Sequence, residues 1–267
     1  MTRIYLITEG VHDVAYLSRI LVRQFKLRQA AALTDLDDVY RQWIESSCKW
    51  PHNNRIDRSS VPAPELYVGP DMAVALANAE GIDSICKKLR VDLTYFAQTG
   101  ASLDAIGVVL DADDADPAVH RQKMVAGLNA ELVEASLPRP PRTGVFILPD
   151  DTSLGTLEDV LIPLGRRLFP GLFASADLHI QAAHNELDNL LGDERKAFKR
   201  PSGPSKALLS AVAAVLKPGK AIQATLKDHR WISKETLSAP ELAPTIEFLQ
   251  RLLSKDPQTA IAPQTPL

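Results

Sequence analysis

The stretch "IGVVLDADDAD", Ile106–Asp116, decides the fold. Its first half is an apolar run of the length of a buried strand, and its second half sets aspartates at 111, 113, 114 and 116 among alanines. A buried strand needs none of these acids, and like charges at such spacing repel. A divalent cation with oxygen ligands would neutralise them. A second stretch, "IYLITEGVHD" (Ile4–Asp13), has the same layout: an apolar run, then Glu9, Gly10 and Asp13.

Working outward, apolar runs predict strands at Ile4–Thr8, Glu65–Val68, Ile106–Leu110 and Val145–Leu148. Between them the 3.6-residue period predicts helices: Val14, Leu17, Ile20, Leu21 and Phe25; Ile82, Ile85, Leu89, Leu93 and Phe96; Met124, Leu128, Leu132 and Val133. Strands alternating with helices predict an α/β fold with a four-stranded, mainly parallel sheet covered on both faces. In such sheets ligands bind at the carboxyl ends of the strands, where Glu9 and Asp111 fall.

The segment from about 30 to 65 reads as an insertion. A short helix is expected around Asp35–Ile44, and the Pro, Ser, Asn and Arg content of Cys48–Glu65 reads as an exposed loop. Residues 1–163 form the expected α/β domain. After Pro163 the alternation stops, and 164–255 reads as a helical extension packed on the core, with helices near Glu186–Phe198, Lys206–Leu216 and Ala239–Leu253. Residues 256–267 read as a flexible tail.

The 267 residues are 45% hydrophobic and 24% charged, ordinary values for a globular protein. A net charge of -3 gives no global attraction to a polyanion, so any nucleic-acid binding must rest on a local basic patch and on metal ions. Cys48 and Cys86 lie in no metal-binding or disulfide pattern, and no apolar run is long enough to cross a bilayer. A cytoplasmic protein with no membrane partner is expected.

A third acidic element, "SLGTLEDVLIPL" (Ser153–Leu164), offers Glu158 and Asp159 in the opening turn of a helix. With it the sequence resembles the TOPRIM domain: "IYLITEGVHDVAYL" is similar to that domain's strand–glutamate–glycine signature, and "IGVVLDADDAD" to its strand–Asp-x-Asp signature. Asp13 and the Gly-Thr-Leu-Glu unit bring it nearest to OLD-family nucleases and small standalone bacterial TOPRIM proteins. Where primases and topoisomerases place a glycine soon after Asp-x-Asp, Asp114, Ala115 and Asp116 follow here.

The resemblance implies a nuclease that hydrolyses phosphodiester bonds in nucleic acid, DNA rather than RNA, in bacterial defence or repair. It implies two Mg2+ or Mn2+ ions held by Glu9, Asp13, Asp111, Asp113 and Glu158, with Glu9 and Asp111 central to catalysis. It also implies a lysine from the C-terminal region near the transition-state charge: Lys199 and Lys206 are the candidates, Lys196 a weaker one. No GxxxxGK[ST] phosphate loop occurs in this sequence, so the ATPase of full OLD proteins would be a separately encoded partner. The alternative is a non-catalytic TOPRIM subunit that binds nucleic acid or a partner in an ATPase-containing system. Self-association is open.

Plainer roles compete at each position. Glu9 and Asp13 would favour a helix N-terminus by charge alone. Asp113, Asp114 and Asp116 could cap a helix starting near Pro117, a role that suits Asp114 and Asp116 best, and Thr156 with Asp159 reads as a capping box. His12, His120 and His184 read as packing or surface residues. "KRPSGPSK" (Lys199–Lys206) reads as a basic loop, and Trp231 in "KDHRWIS" as either a stacking platform or a core anchor.

Overall fold

The computed structural model describes residues 1–47, 55–56, 64–228 and 230–254. The elements of the sheet region are β1 (Thr2–Thr8), α1 (Val11–Arg23), β2 (Arg28–Gln29), α2 (Asp38–Ser47), β3 (Glu65–Val68), β4 (Met72–Asn78), α3 (Ile85–Gln98), β5 (Ala105–Asp111), α4 (Pro117–Ala135), β6 (Arg142–Leu148) and α5 (Leu157–Leu168). The helical region holds α6 (Pro170–Asn185), α7 (Gly192–Phe198), α8 (Gly203–Leu216), α9 (Ile222–Leu226) and α10 (Ala243–Leu253).

The sheet has six strands in the order β2-β3-β4-β1-β5-β6, not the four expected. Strands β4, β1, β5 and β6 run parallel, while β3 pairs antiparallel with β4 and β2 antiparallel with β3. Successive residues of a strand face opposite sides. Ile4 and Leu6 enter the core under α1, α5 and α10, while Tyr5 and Ile7 enter the one under α2, α3 and α4. On the second side the bulky rings of Tyr40, Trp43 and Phe96 lie in the same core as the small Ala73, Ala75 and Ala77 of β4.

Part of the expected insertion is core. Helix α2 buries Tyr40, Trp43 and Ile44, and the Tyr40 hydroxyl donates to the Ile4 carbonyl at 2.7 Å. Of the expected Cys48–Glu65 loop, residues 48–54 and 57–63 lie outside the described residues, as does the tail from 255. Ile56 donates its N–H to the Ala31 carbonyl at 2.9 Å.

Helix α5 runs through Pro163 to Leu168, so the expected boundary falls inside a helix whose second half meets α6 and α8. The core of the first sheet face continues into Phe173, Leu208, Val212 and Trp231, which settles Trp231 as a core anchor against Phe169 and Phe173. Helix α10 closes over β5 and β6: Phe248 stacks on Phe146 with ring centroids 5.2 Å apart. It can lie this close because β5 and β6 present glycines there. A Cβ on Gly107 would come within 2.5 Å of Leu252 and Leu6, and one on Gly144 within 3.0 Å of Phe248. Among the described residues no helix is long and apolar enough to cross a membrane.

Candidate functional site

Strands β1 and β5 are parallel neighbours, with Thr8 opposite Val109, so Glu9, just past the end of β1, lies near Asp111, the last residue of β5. After Glu9 the chain turns at Gly10, whose N–H donates to Asp13 Oδ2 at 2.8 Å and starts α1. Asp13, weighed as a helix N-terminal acid acting by charge alone, thus also caps α1 through a hydrogen bond, and its carboxylate is 5% exposed. Asp111 Oδ1 accepts the Leu157 N–H at 2.9 Å, which ties the end of β5 to the first turn of α5.

The entry to α5 is fixed twice more. Asp113 and Gly155 exchange backbone hydrogen bonds of 2.7 and 2.9 Å, and Asp159 Oδ2 accepts the Thr156 N–H at 2.8 Å in the expected capping box. Gly155 adopts φ +135°, which favours glycine. With Asp159 committed to the cap at the cleft wall, Glu158 is 4% exposed.

Four carboxylates thus share one partly dry place, and their charges oppose one another. Burial pushes Asp111 up to about 9, and Asp13, Glu158 and Glu9 add to the rise. Burial pushes Asp13 up to about 7 against the Gly10 N–H, with Glu9 and Glu158 adding and Lys206 opposing. Glu9 is raised by burial and then by Asp113, against the Asp111 backbone N–H, Lys206 and His120. Glu9 Oε2 and Glu158 Oε2 are buried oxygens with no hydrogen-bond partner. Unpaired buried acceptors are costly, so this is an oxygen-rich site short of positive charge. Among the described residues no set of three such side chains stands ready-made around one metal position; Asp13 and Asp111 each give one oxygen to a backbone N–H and keep the other. The donor set is nonetheless of the hard-oxygen kind that suits Mg2+ or Mn2+.

Above the carboxylates opens a cleft of about 600 Å3. One wall carries Glu9, Asp113, Asp114 and Asp159; the other carries Arg200, Ser202, Ser205 and Lys206, at the start of α8. The two walls have opposite charge.

Several expectations change here. Asp113, expected beside Asp111 as a metal ligand, stands apart from it: its φ is +52°, it is exposed, and its charge bears on Glu9 at the rim. Asp116 does cap α4, accepting the Ala118 N–H at 2.8 Å, whereas Asp114 lines the cleft. Of the two lysines, Lys206 faces the acids, while Lys199 ends α7 outside the cleft lining. Arg200, Ser202 and Ser205 were not singled out from the sequence, although they lie inside the quoted basic loop; nothing in their spacing marks which residue of such a loop turns inward. His12 is half-buried beside Glu158 and Gln223. His184 is an exposed surface residue whose ring lies against Phe198.

The sequence profile of a family described as "Protein of unknown function (DUF3226)" matches residues 3–254. The chain belongs to that family. The match takes in the DUF3226 sheet, the carboxylates and the basic wall alike, from β1 to the end of α10. No curated protein matches the chain. A crystal structure of hypothetical protein PH0156 from Pyrococcus horikoshii OT3 is similar over 95% of this chain and 96% of that chain, with 15% identity and a TM-score of 0.48. The chemistry of this DUF3226 protein is therefore read from its own side chains.

Proposed function

We propose that the protein is a Mg2+- or Mn2+-dependent nuclease of the TOPRIM type, hydrolysing phosphodiester bonds in nucleic acid. The observation that carries this reading is the mutually repelling set of half-buried Glu9 and Asp111, at the carboxyl ends of adjacent parallel strands, and buried Asp13 and Glu158, in the first turns of α1 and α5, with Glu9 Oε2 and Glu158 Oε2 unpaired. The motif resemblance at Glu9, Asp111-Ala112-Asp113 and Glu158 supports it, and so does the basic wall across the cleft.

In this reading Glu9, Asp13, Asp111 and Glu158 hold the metal, with Asp113 reaching it from the rim. Bound there, a divalent ion supplies Lewis-acid polarisation of the phosphate and a water of lowered pKa. The rest belongs to the chain. The Gly10 and Leu157 N–H groups fix the orientation of two of the carboxylates before substrate arrives. Arg200, Ser202 and Ser205 contact the non-bridging phosphate oxygens from the opposite wall. Lys206 faces the charge that grows on them in the transition state. A separately encoded ATPase partner remains part of the proposal through the OLD-type resemblance.

The test is incubation of the protein with supercoiled plasmid, linear DNA and a structured RNA pool in Mg2+, Mn2+ or EDTA. Cleavage that needs metal and disappears in Glu9→Gln and Asp111→Asn is the expected result. If every polymer stays intact while calorimetry records Mn2+ binding, the protein is a binding subunit and the standalone nuclease reading fails.

A further inference from the structure

A second cavity, of about 240 Å3, lies on the other side of the β5 tip. The strand's alternation decides this: Val109 packs in the α1/α5 core, Leu110 in the α3/α4 core, so Asp111 turns to the metal side and Leu110 to the opposite one. Ile82, Cys86, Leu110 and Met124 form apolar walls between α3 and α4, and Asp83, His120 and Lys123 supply polar edges. His120 stands between the two cavities: it lines this one, its charge bears on Glu9 in the other, and its Nδ1 has no hydrogen-bond partner.

The size and lining select the ligand. A drug-sized ligand needs a pocket of about 300–1,000 Å3, so this cavity suits a single flat ring system. Apolar walls with two sulfur atoms fit the faces of such a ring, and the polar edge fits its ring nitrogens and exocyclic groups. Its floor is one residue from Asp111. A ring held there lies beside the phosphate site, and the bases of an intact duplex are stacked out of reach.

We infer that this cavity receives the unstacked base of the nucleotide whose phosphate occupies the acidic cleft, an inference that rests on the nuclease reading and makes the substrate single-stranded or locally opened. Ile82 and Met124 contact the faces of the base, and His120 reads its edge. Discrimination among bases would then be set by His120, Asp83 and Lys123, away from the carboxylates.

The experiment uses the full chain, a short fluorescein-labelled single-stranded oligonucleotide, its duplex, and versions with an abasic site at successive positions. Anisotropy in Ca2+ gives affinity, and cleavage in Mn2+ gives activity. An abasic site at one position relative to the cut is expected to weaken binding roughly tenfold, the size of one lost base-stacking contact. Ile82→Trp, which fills the cavity, should impose a similar loss on the intact strand and add none on the abasic one; circular dichroism checks that the variant is folded. Equal affinity and cleavage for intact and abasic strands overturns the base pocket and leaves the nuclease standing. Position-dependent loss of affinity without metal-dependent cleavage overturns the nuclease and keeps the pocket. No binding to any strand overturns both.

Discussion

Asp111 sits where burial and three neighbouring acids all oppose its charge, and its carboxyl rises from 3.8 to about 9. An acid that holds its proton more tightly folded than unfolded stabilises the fold below its unfolded pKa, and that stability is lost as pH climbs towards the folded value. In EDTA the melting temperature should therefore fall between about pH 4 and pH 9, with Asp13, raised to about 7, contributing over the lower part of that range. The acids titrate as a coupled set, so the slope belongs to the cluster. Mn2+ should raise the melting temperature most at the alkaline end, where it replaces protons that have left. Asp111→Asn should flatten both responses in scanning fluorimetry. Identical profiles for wild type and variant would remove the cluster from the explanation. Adjacent residues of α5 offer a sharper contrast. Asp159→Ala removes a helix cap and should cost about 1 kcal/mol while leaving the Mn2+ response intact; Glu158→Gln should abolish that response, measured by titration calorimetry, without loss of stability.

At the scale of elements, α8 and α10 each make a distinct claim. The start of α8 brings Lys206 to the cleft and leaves Lys199 behind at the end of α7. Lys206→Ala should lower kcat about a hundredfold or more, the usual loss when one preorganised electrostatic contact is removed, and Lys199→Ala should leave kcat within twofold. Equal losses would mean that the basic loop acts as a diffuse patch. Helix α10 needs the bare backbone of β5, so Gly107→Ala should destabilise the protein by about 1–3 kcal/mol through overpacking against Leu252 and Leu6, as read by urea denaturation. The strands that carry acids were legible in the sequence, because an apolar run ending in carboxylates is rare without a reason. Strand β4 was not. Its "MAVALAN" alternates alanine with larger residues, and alanine has little strand propensity; those alanines make sense only beneath Tyr40, Trp43 and Phe96, which lie far away in sequence. The two-residue β2 is too short to leave a pattern, and α6 is apolar enough around its circumference to blur its period. Glu9, Asp13, Asp111 and Glu158 were legible as a set, whereas the placement of Asp113 was not, because its left-handed backbone depends on pairing with Gly155.

At the scale of the molecule, a net charge of -3 repels a polyanion at a distance, so on the proposed reading nucleic-acid binding has to come from where the few relevant cations stand. Arg200 and Lys206 line the cleft. Arg139 lies at the opposite end of the strands, lining a pocket with Thr2 and paired with Asp104. Counterion release makes the logarithm of affinity fall linearly with the logarithm of salt, by about 0.7 for each phosphate neutralised on a single strand. Arg200→Ala should therefore weaken binding and shrink that slope by about 0.7, while Arg139→Ala leaves it unchanged. The measurement is anisotropy of a labelled single strand across a KCl series at fixed Ca2+, with Ca2+ standing in for the proposed Mg2+ or Mn2+ so that the acids are neutralised and the strand stays intact. A reduced slope for Arg200→Ala alone assigns the phosphate track to the cleft. Equal slopes for wild type and both variants would place the polyanion elsewhere on the surface, and the oppositely charged walls would then need an explanation other than nucleic acid.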